Sequence, residues 1–227
     1  MTRILQIIGH SGAGKSIISF NLGVALAQMG RDVIAIDGNL HSPDLSSYSA
    51  ASPSSFLNDY LAEDVPLSSL IGHHSSGLRL IASLKENDSD REVRSERAQD
   101  SRIHLLLLSL LGRCDIVLLD ALSRYAHSAD ECILVTNDDY HAVVKSKEII
   151  EAHEKKGASV IGAIINRRTK ADREKIETIL RKRILCEIPH DPLLVDSINK
   201  RQPATILYPR CAFSKTVRDL ASLIGHE

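Results

Sequence analysis

Eight consecutive residues near the start of the chain have the composition of a phosphate-binding loop. They read Gly9-His10-Ser11-Gly12-Ala13-Gly14-Lys15-Ser16 and fit the pattern GxxxxGK[ST]. Glycines let successive backbone N–H groups converge on phosphate oxygens, and the N-terminus of a following helix adds partial positive charge. Lys15 would neutralise the β- and γ-phosphates, while the Ser16 hydroxyl would bind Mg²⁺, a cation that prefers oxygen ligands. The sequence therefore predicts a phosphate and magnesium site at this loop.

The segments on either side of the loop have the patterns that such a site requires. An apolar run from Ile4 to Ile8 precedes it, and apolar residues at helical spacing predict a helix over 15–29. A short buried strand from Val33 to Ile36 then ends at Asp37. Because ligands of a parallel βαβ unit bind at the carboxyl ends of its strands, Gly9 and Asp37 are expected at the same edge. This context argues against a glycine-rich turn that matches the pattern by chance.

A second apolar strand ends in another carboxylate. Residues 115–120 read Asp-Ile-Val-Leu-Leu-Asp and resemble a Walker B segment, in which the terminal Asp, here Asp120, holds the water shell of Mg²⁺. Residues 38–55 have loop composition, and a helix near Pro53 and a mixed-charge helix from Lys85 to Arg102 follow. Further strands are predicted at 78–82, 133–136, 159–166 and 184–188, and further helices at 142–153, 171–182, 192–199 and 213–224. This alternation predicts one α/β domain over 1–227, with a mostly parallel sheet and helices on both faces.

Composition excludes several classes of protein. The net charge is −1 and 25% of residues are charged, so there is no global attraction to nucleic acid or an acidic membrane. The chain begins directly with a predicted strand, and its longest apolar stretch, Leu105 to Leu111, is too short to span a bilayer. The four cysteines are too dispersed for a metal site and are predicted to be free thiols. We therefore expect a cytoplasmic protein.

Taken in chain order, these segments resemble the MinD/ParA family of deviant Walker A P-loop ATPases, and among them the archaeal MinD-like proteins. The resemblance rests on the loop, 21–27, 33–40, 43–45, 160–167, 187–192 and the helix near 214–223. It implies a P-loop NTPase fold of the SIMIBI type and an ATP-dependent switch. Such proteins sandwich two nucleotides in a homodimer, release each other on hydrolysis, and position partner complexes in cell division, motility or DNA segregation.

The resemblance also implies a role for individual residues. ATP or ADP would be bound by Gly9, His10, Ser11, Gly12, Ala13, Gly14, Lys15, Ser16, Ile17, Asn166, Arg167, Pro189 and Asp191. Mg²⁺ would be held by Ser16, Asp37 and Asp120, and catalysis would depend on Lys15, Asn39 and Asp120. The Asn166 amide has a donor and an acceptor, which suits the N6 and N7 edge of adenine. The alternative for Asn166 is a cap at the end of a strand.

Three positions depart from the family pattern. His10 stands where the family has a lysine that crosses the dimer, and it is open whether His10 replaces that cation weakly or merely faces solvent. Asn39 replaces a carboxylate that orients the attacking water. Ala121-Leu122-Ser123-Arg124 begins a shortened segment where a Pro or Gly switch is usual. We therefore predict tight binding of nucleotide with slow Mg²⁺-dependent hydrolysis; the alternative is a nucleotide-bound scaffold or adaptor that does not hydrolyse ATP.

Other interpretations have less support in the sequence. A small-molecule phosphotransferase or ligase would need a second substrate pocket, and GTP specificity would need an NKxD element, which is missing. His73-His74 is interpreted as part of a polar loop. A basic strip for DNA (Lys145, Lys147, Lys155, Lys156, Arg167, Arg168 and Lys170) is interspersed with acidic residues, so a solvated face is favoured. Residues 220–227 lack a basic amphipathic extension, so we expect no direct membrane anchor, and the protein partner is unidentified.

Overall fold

The computed structural model describes residues 1–40, 42–48, 53–85, 96–121, 129–169 and 172–225. Its elements, in chain order, are β1 (Arg3–Ile8), α1 (Lys15–Gln28), β2 (Val33–Gly38), α2 (Asp44–Tyr48), α3 (Leu57–Ala62), α4 (Leu67–Leu70), β3 (Ile71–His73), β4 (Arg79–Ile81), α5 (Glu96–Leu110), β5 (Ile116–Ala121), β6 (Glu131–Thr136), α6 (Tyr140–Glu154), β7 (Ser159–Arg168), α7 (Arg173–Leu180), β8 (Ile184–Pro189), α8 (Pro192–Asn199), α9 (Ala204–Leu207) and α10 (Ala212–Gly225).

The strands of the described residues form one eight-stranded sheet in the order β3-β4-β2-β5-β1-β6-β7-β8. Every neighbouring pair is parallel except β3 and β4, which are antiparallel. The strand β1 lies near the middle, between β5 and β6. The carboxyl ends of β1, β2 and β5 therefore meet at one edge, as the sequence predicted, and the fold is an α/β fold with a mostly parallel sheet.

Helices cover both faces of the sheet because side chains alternate between its faces along each strand. Leu5 and Ile7 pack into a core with α1 and α10 on one face. Ile4 packs on the other face with α5, and Ile8 packs with α6 and α7. Every residue of α1 from Ile17 to Leu26 is buried, since the helix lies between the sheet and α10. This packing holds the N-terminus of α1 rigidly at the edge of the sheet.

Several predicted elements are confirmed and others are wrong. Helix α1 begins at Lys15, and α8 spans 192–199 as predicted. The loop predicted over 38–55 is wrong in part, because α2 forms there with Leu45 fully buried in the core. The helix predicted near Pro53 begins at Leu57. The polar-loop interpretation is wrong for His73, which pairs with Arg79 at the end of β3. Of the predicted mixed-charge helix, residues 86–95 lie outside the described residues.

Two further predictions concern the chain as a whole. All four cysteines are free, as predicted. Across the described ranges, no helix is both long enough and apolar enough to cross a membrane.

Candidate functional site

The loop between β1 and α1 is packed tightly against the ends of two other strands. Gly9 has φ 150°, and a Cβ atom there would lie 2.2 Å from the carbonyl oxygen of Val135 in β6. Gly14 has φ 95°, and a Cβ atom there would lie 2.3 Å from Nδ2 of Asn166 in β7. Backbone with positive φ favours glycine at both positions. At Gly9 the backbone of β6 leaves no room for a side chain, whereas at Gly14 a side chain would displace the Asn166 amide.

The side chain of Lys15 lies over this loop. Its Nζ donates a hydrogen bond of 3.0 Å to the carbonyl oxygen of His10. Burial lowers the pKa of Lys15, while the negative charges of Asp120 and Asp44 oppose this effect. Burial disfavours the charged form of Lys15, so an anion bound beside the ammonium would stabilise that form and would be held by its charge. The N-terminus of α1, which begins at Lys15, adds its partial positive charge at the same place.

Two carboxylates stand side by side at the strand ends below Lys15 and Ser16. Asp37 of β2 and Asp120 of β5 are register partners, and both are buried. Each lies two residues beyond a side chain of the α1 core, Ala35 and Leu118, so alternation directs both carboxylates to the α1 face. The predicted oxygen ligands of Mg²⁺ are thereby brought to one place.

The environment of Asp120 shifts its pKa strongly. Burial raises its pKa to about 6, whereas a hydrogen bond from Ser16 and the charge of Lys15 lower it. Its Oδ2 atom is buried and has no hydrogen-bond partner among the described residues. A hydroxyl and a carboxylate with an open oxygen suit a hard divalent cation. Within the described ranges no group of three or more His, Cys, Asp or Glu could hold a metal by itself, so Mg²⁺ here would share its shell with phosphate and water.

The raised pKa of Asp120 predicts a stability that falls as the pH rises. In Mg²⁺-free buffer the folded chain keeps the Asp120 proton up to pH about 6, whereas the unfolded chain loses it near 3.8. The native state therefore binds more protons between these values, and unfolding free energy decreases across that window by about 3 kcal/mol. Asp120→Asn removes the buried charge, so the variant should be the more stable protein at pH 7.5 and equal to wild type near pH 4.

Urea unfolding with EDTA at both pH values measures this difference. Asp64→Asn is the control, because the Asp64 side chain is 98% exposed and the substitution should leave the pH dependence unchanged. If the wild type were at least as stable as Asp120→Asn at pH 7.5, the prediction that the buried Asp120 charge destabilises the fold would be wrong.

A large cavity of about 490 Å³ opens beside the loop. Of the predicted nucleotide residues, it is lined by Ser11, Gly12, Gly14, Lys15, Ser16, Ile17, Asn166, Arg167, Pro189 and Asp191. Its volume lies within the range of about 300–1,000 Å³ of small-molecule sites. Its lining also includes apolar residues of α8, namely Leu194, Val195 and Ile198. The cavity thus combines polar groups of the loop, which suit phosphate, with apolar side chains that suit a planar base.

Asn166 links the end of β7 to the loop. Its Nδ2 donates to the carbonyl oxygen of Ala13 at 2.7 Å, and its Oδ1 accepts from the backbone N–H of Arg167 at 3.0 Å. Arg167 has φ 53° and its Nη1 lies 3.4 Å from the carbonyl oxygen of Gly12. The strand-end cap and the predicted base contact are compatible, because the amide keeps a second N–H and a second lone pair.

Asn39 and His10 occupy two of the three positions that depart from the family pattern. The Nδ2 of Asn39 donates to the carbonyl oxygen of Ser42 at 2.8 Å, and Asn39 lines both the large cavity and a small cavity of about 180 Å³. The Nδ1 of His10 lies 2.9 Å from the carbonyl oxygen of Ser11. His10 is absent from the described residues that line the two cavities. Within one chain, therefore, the His10 imidazole contacts the loop itself.

Two residues of α2 reach the site although the sequence reasoning gave them no role. Asp44 and Tyr48 line the large cavity. The charge of Asp44 raises the pKa of both Lys15 and Asp120, and burial, followed by Asp44, raises the pKa of Tyr48. The signal was the Pro43-Asp44 pair, which is typical of a helix start. By contrast, residues 122–128, on which the shortened-switch prediction falls, lie outside the described residues.

Known proteins are similar to this chain in sequence and in fold. A family model described as the CobQ/CobB/MinD/ParA nucleotide binding domain matches residues 4–204. An uncharacterized ATP-binding protein of Methanocaldococcus jannaschii is 28% identical over 225 residues, covering 96% of this chain and 85% of that protein. The chain is also similar to septum site-determining protein MinD of Pyrococcus horikoshii OT3, solved with Mg-ADP (26% identity, TM-score 0.89, 99% of this chain and 96% of that one). MinD in the MinC:MinD complex of Aquifex aeolicus has the same fold (22% identity, TM-score 0.85, covering 99% and 96%).

Proposed function

The chain belongs to the CobQ/CobB/MinD/ParA nucleotide-binding domain family, and from that premise we propose that it is an ATP-binding, MinD-like switch. In this proposal residues 1–227 form one domain that binds ATP or ADP with Mg²⁺. The bound nucleotide controls formation of a homodimer, and the homodimer positions or regulates a partner protein complex. Support comes from the similarity to a MinD that was solved with Mg-ADP.

The observation that carries the proposal is that Lys15 and Ser16 line the large cavity while Asp120 accepts a hydrogen bond from Ser16 behind them. Backbone N–H groups of the loop and the Lys15 ammonium would bind the β- and γ-phosphates. Ser16 would hold Mg²⁺ directly, with Asp37 and Asp120 behind it. Adenine would lie near Asn166, Pro189 and Asp191, against the apolar residues of α8.

Slow hydrolysis is proposed because the groups that bind are present while those that act on water are altered. In the reaction, a water oxygen bonds to the γ-phosphorus, the bond to the β–γ bridging oxygen breaks, and the water gives up a proton. Asn39 can orient that water through its amide but cannot take the proton at neutral pH. His10 has an imidazole where the family has a lysine, so the permanent cation of the lysine is missing from the dimer contact.

The alternative is a scaffold or adaptor that keeps its nucleotide and acts by dimerisation alone. The specific observation in its favour is that the Asn39 amide is already bonded to the Ser42 carbonyl oxygen. Mass spectrometry of nucleotide released after purification, followed by a single-turnover assay with labelled ATP and Mg²⁺, distinguishes the two. The switch releases phosphate measurably and changes its oligomeric state between ATP and ADP; the scaffold does neither.

Restoring a carboxylate at Asn39 should accelerate hydrolysis. We expect Asn39→Asp to raise the turnover of Mg·ATP by about tenfold or more, because a positioned general base contributes about 10²–10⁴ in rate. Steady-state phosphate release measures the change. Asn39→Ala is the matched control, since it removes the amide without adding a base and should give no gain. An Asn39→Asp rate equal to that of wild type would mean that another group limits the chemistry.

A further inference from the structure

The helix α8 lines the large cavity although few of its residues are packed into the core. Leu194, Val195 and Ile198 face the cavity, and in the proposed function adenine lies against them. Of the residues of α8, only Ser197 is buried. An isolated helix shorter than about 12 residues is marginal in water, so a helix as short as α8 needs tertiary contacts to stay folded and in place. The position of α8 must therefore depend on contacts other than burial.

One carboxylate binds the start of α8 and the start of α10 together. Asp191 is the N-cap of α8, and its Oδ1 accepts a hydrogen bond of 3.1 Å from the backbone N–H of Leu193. Its Oδ2 accepts a hydrogen bond of 3.2 Å from the backbone N–H of Phe213, in the first turn of α10. The first N–H groups of a helix have no partner within the helix, and a carboxylate oxygen satisfies them. Asp191 therefore joins two helix N-termini through one side chain.

The second of these helices is anchored in the core. Phe213, Val217 and Leu220 of α10 are buried in the core that α1 shares with the sheet. Helix α10 also contacts both α1 and β8. Because close-packed interiors resist displacement, α10 cannot shift without disturbing this core. Asp191 thus connects a helix with little burial, α8, to a helix that the core holds in place.

Asp191 is ionised at neutral pH when it makes these bonds. Burial alone would raise its pKa, but hydrogen bonds from the backbone of Phe213, the thiol of Cys211 and the backbones of Leu193 and Ala212 outweigh burial and lower it. An ionised carboxylate only accepts hydrogen bonds, and bonds to a charged acceptor are stronger than neutral ones. The carboxylate is therefore well suited to hold the two helix N-termini together.

We propose that Asp191 is a positioning residue for the base of ATP: its carboxylate fixes α8 to α10 and so keeps the apolar side chains of α8 in place beside adenine. This inference rests on the proposed function. The family resemblance implied that Asp191 binds the nucleotide; in this proposal its carboxylate acts through α8. Because the phosphates would be bound by the loop and by Lys15, loss of the carboxylate should weaken binding of the base and leave binding of the phosphates nearly unchanged.

The test compares two helices of equal length that have the same kind of cap. Asp191→Ala should weaken binding of ATP with Mg²⁺ by about tenfold, which corresponds to α8 in its binding position in about a tenth of the molecules. Binding of inorganic tripolyphosphate with Mg²⁺ should change by no more than about twofold. Asp172→Ala is the matched control, because Asp172 caps α7 through the backbone N–H of Glu174 at 3.0 Å and borders a different cavity. It should lower the thermal midpoint and leave ATP affinity within about twofold of wild type.

Two further measurements support the comparison. Asp191→Asn keeps one acceptor oxygen, so its loss of ATP affinity should be smaller than that of Asp191→Ala. Amide hydrogen exchange of the nucleotide-free protein needs no ligand, and residues 192–199 should exchange faster in Asp191→Ala than in wild type.

The outcomes separate this inference from the proposed function. Unchanged exchange in α8, equal losses for ATP and tripolyphosphate in Asp191→Ala, or an ATP affinity of Asp191→Ala within about twofold of wild type overturns the role of Asp191 alone. A tenfold loss of ATP affinity in Asp172→Ala as well would also overturn it. A wild type that binds neither ATP nor ADP overturns this inference and the proposed function together.

Discussion

Replacing Lys15 with alanine is expected to weaken ATP binding by about a hundredfold. A hydrogen bond to a charged group contributes about 1.5–3 kcal/mol, and each 1.4 kcal/mol is a factor of ten in affinity. Lys15 is held over the loop by the His10 carbonyl, so its ammonium is already in place before the phosphates arrive. Little ordering cost therefore offsets the attraction, and the full loss should appear in the variant.

Isothermal titration calorimetry with ATP and Mg²⁺ measures this loss. Lys145→Ala removes an exposed lysine from α6 and serves as the matched control, for which we expect wild-type affinity. The thermal midpoint of each apo variant shows whether the fold is intact. An affinity within about twofold of wild type for Lys15→Ala would place the phosphates elsewhere.

Replacing Gly9 with alanine is expected to destabilise the fold by about 3 kcal/mol or more, the sum of overpacking and an unfavourable backbone conformation. The new Cβ would lie 2.2 Å from the Val135 carbonyl oxygen. That oxygen belongs to β6, next to β1 in the middle of the sheet, where the backbone cannot move without breaking strand pairing. The substitution should therefore destabilise the whole sheet as well as the loop.

Gly30→Ala separates the contact from the backbone strain. Gly30 also has a positive φ, 85°, but a Cβ atom there would meet nothing within 4 Å. Its loss should be about 1 kcal/mol, the cost of the backbone conformation alone. Urea unfolding monitored by circular dichroism compares the two variants. Equal losses of unfolding free energy would show that β6 moves to accommodate the alanine side chain of Gly9→Ala. The loop would then be less constrained than the contact distance implies.

Much of the site was predictable because its parts are short-range in sequence. The loop from Gly9 to Ser16 and the helix that follows form one contiguous motif, and Asp120 ends an apolar strand. Parallel strands of one sheet end at the same edge, so placing Asp37 beside Asp120 needed only the strand assignments.

The rest depends on contacts between distant segments. Asn166 is bonded to Ala13 across 153 residues, and nothing in the local pattern at either end specifies that bond. The strand β3 has three residues, too few for a periodicity to reveal.

The structure explains how nucleotide binding and hydrolysis can separate within one site. The binding groups are set by the rigid end of α1 and by the sheet edge, both of which are buried. In the proposed function the residue that acts on water is Asn39, whose amide is bonded to the Ser42 carbonyl oxygen. Substitutions at Asn39 should therefore change turnover and leave affinity nearly unchanged.

The most direct test of the central claim is calorimetric titration of the nucleotide-free wild-type protein with ATP in the presence of Mg²⁺. We predict one site per chain with a dissociation constant well below about 1 mM, weakened when EDTA removes the metal. GTP should bind more weakly, because the cavity presents Asn166 to the base without an NKxD element. If neither ATP nor ADP binds with a dissociation constant below about 1 mM, the chain is not a nucleotide-controlled switch.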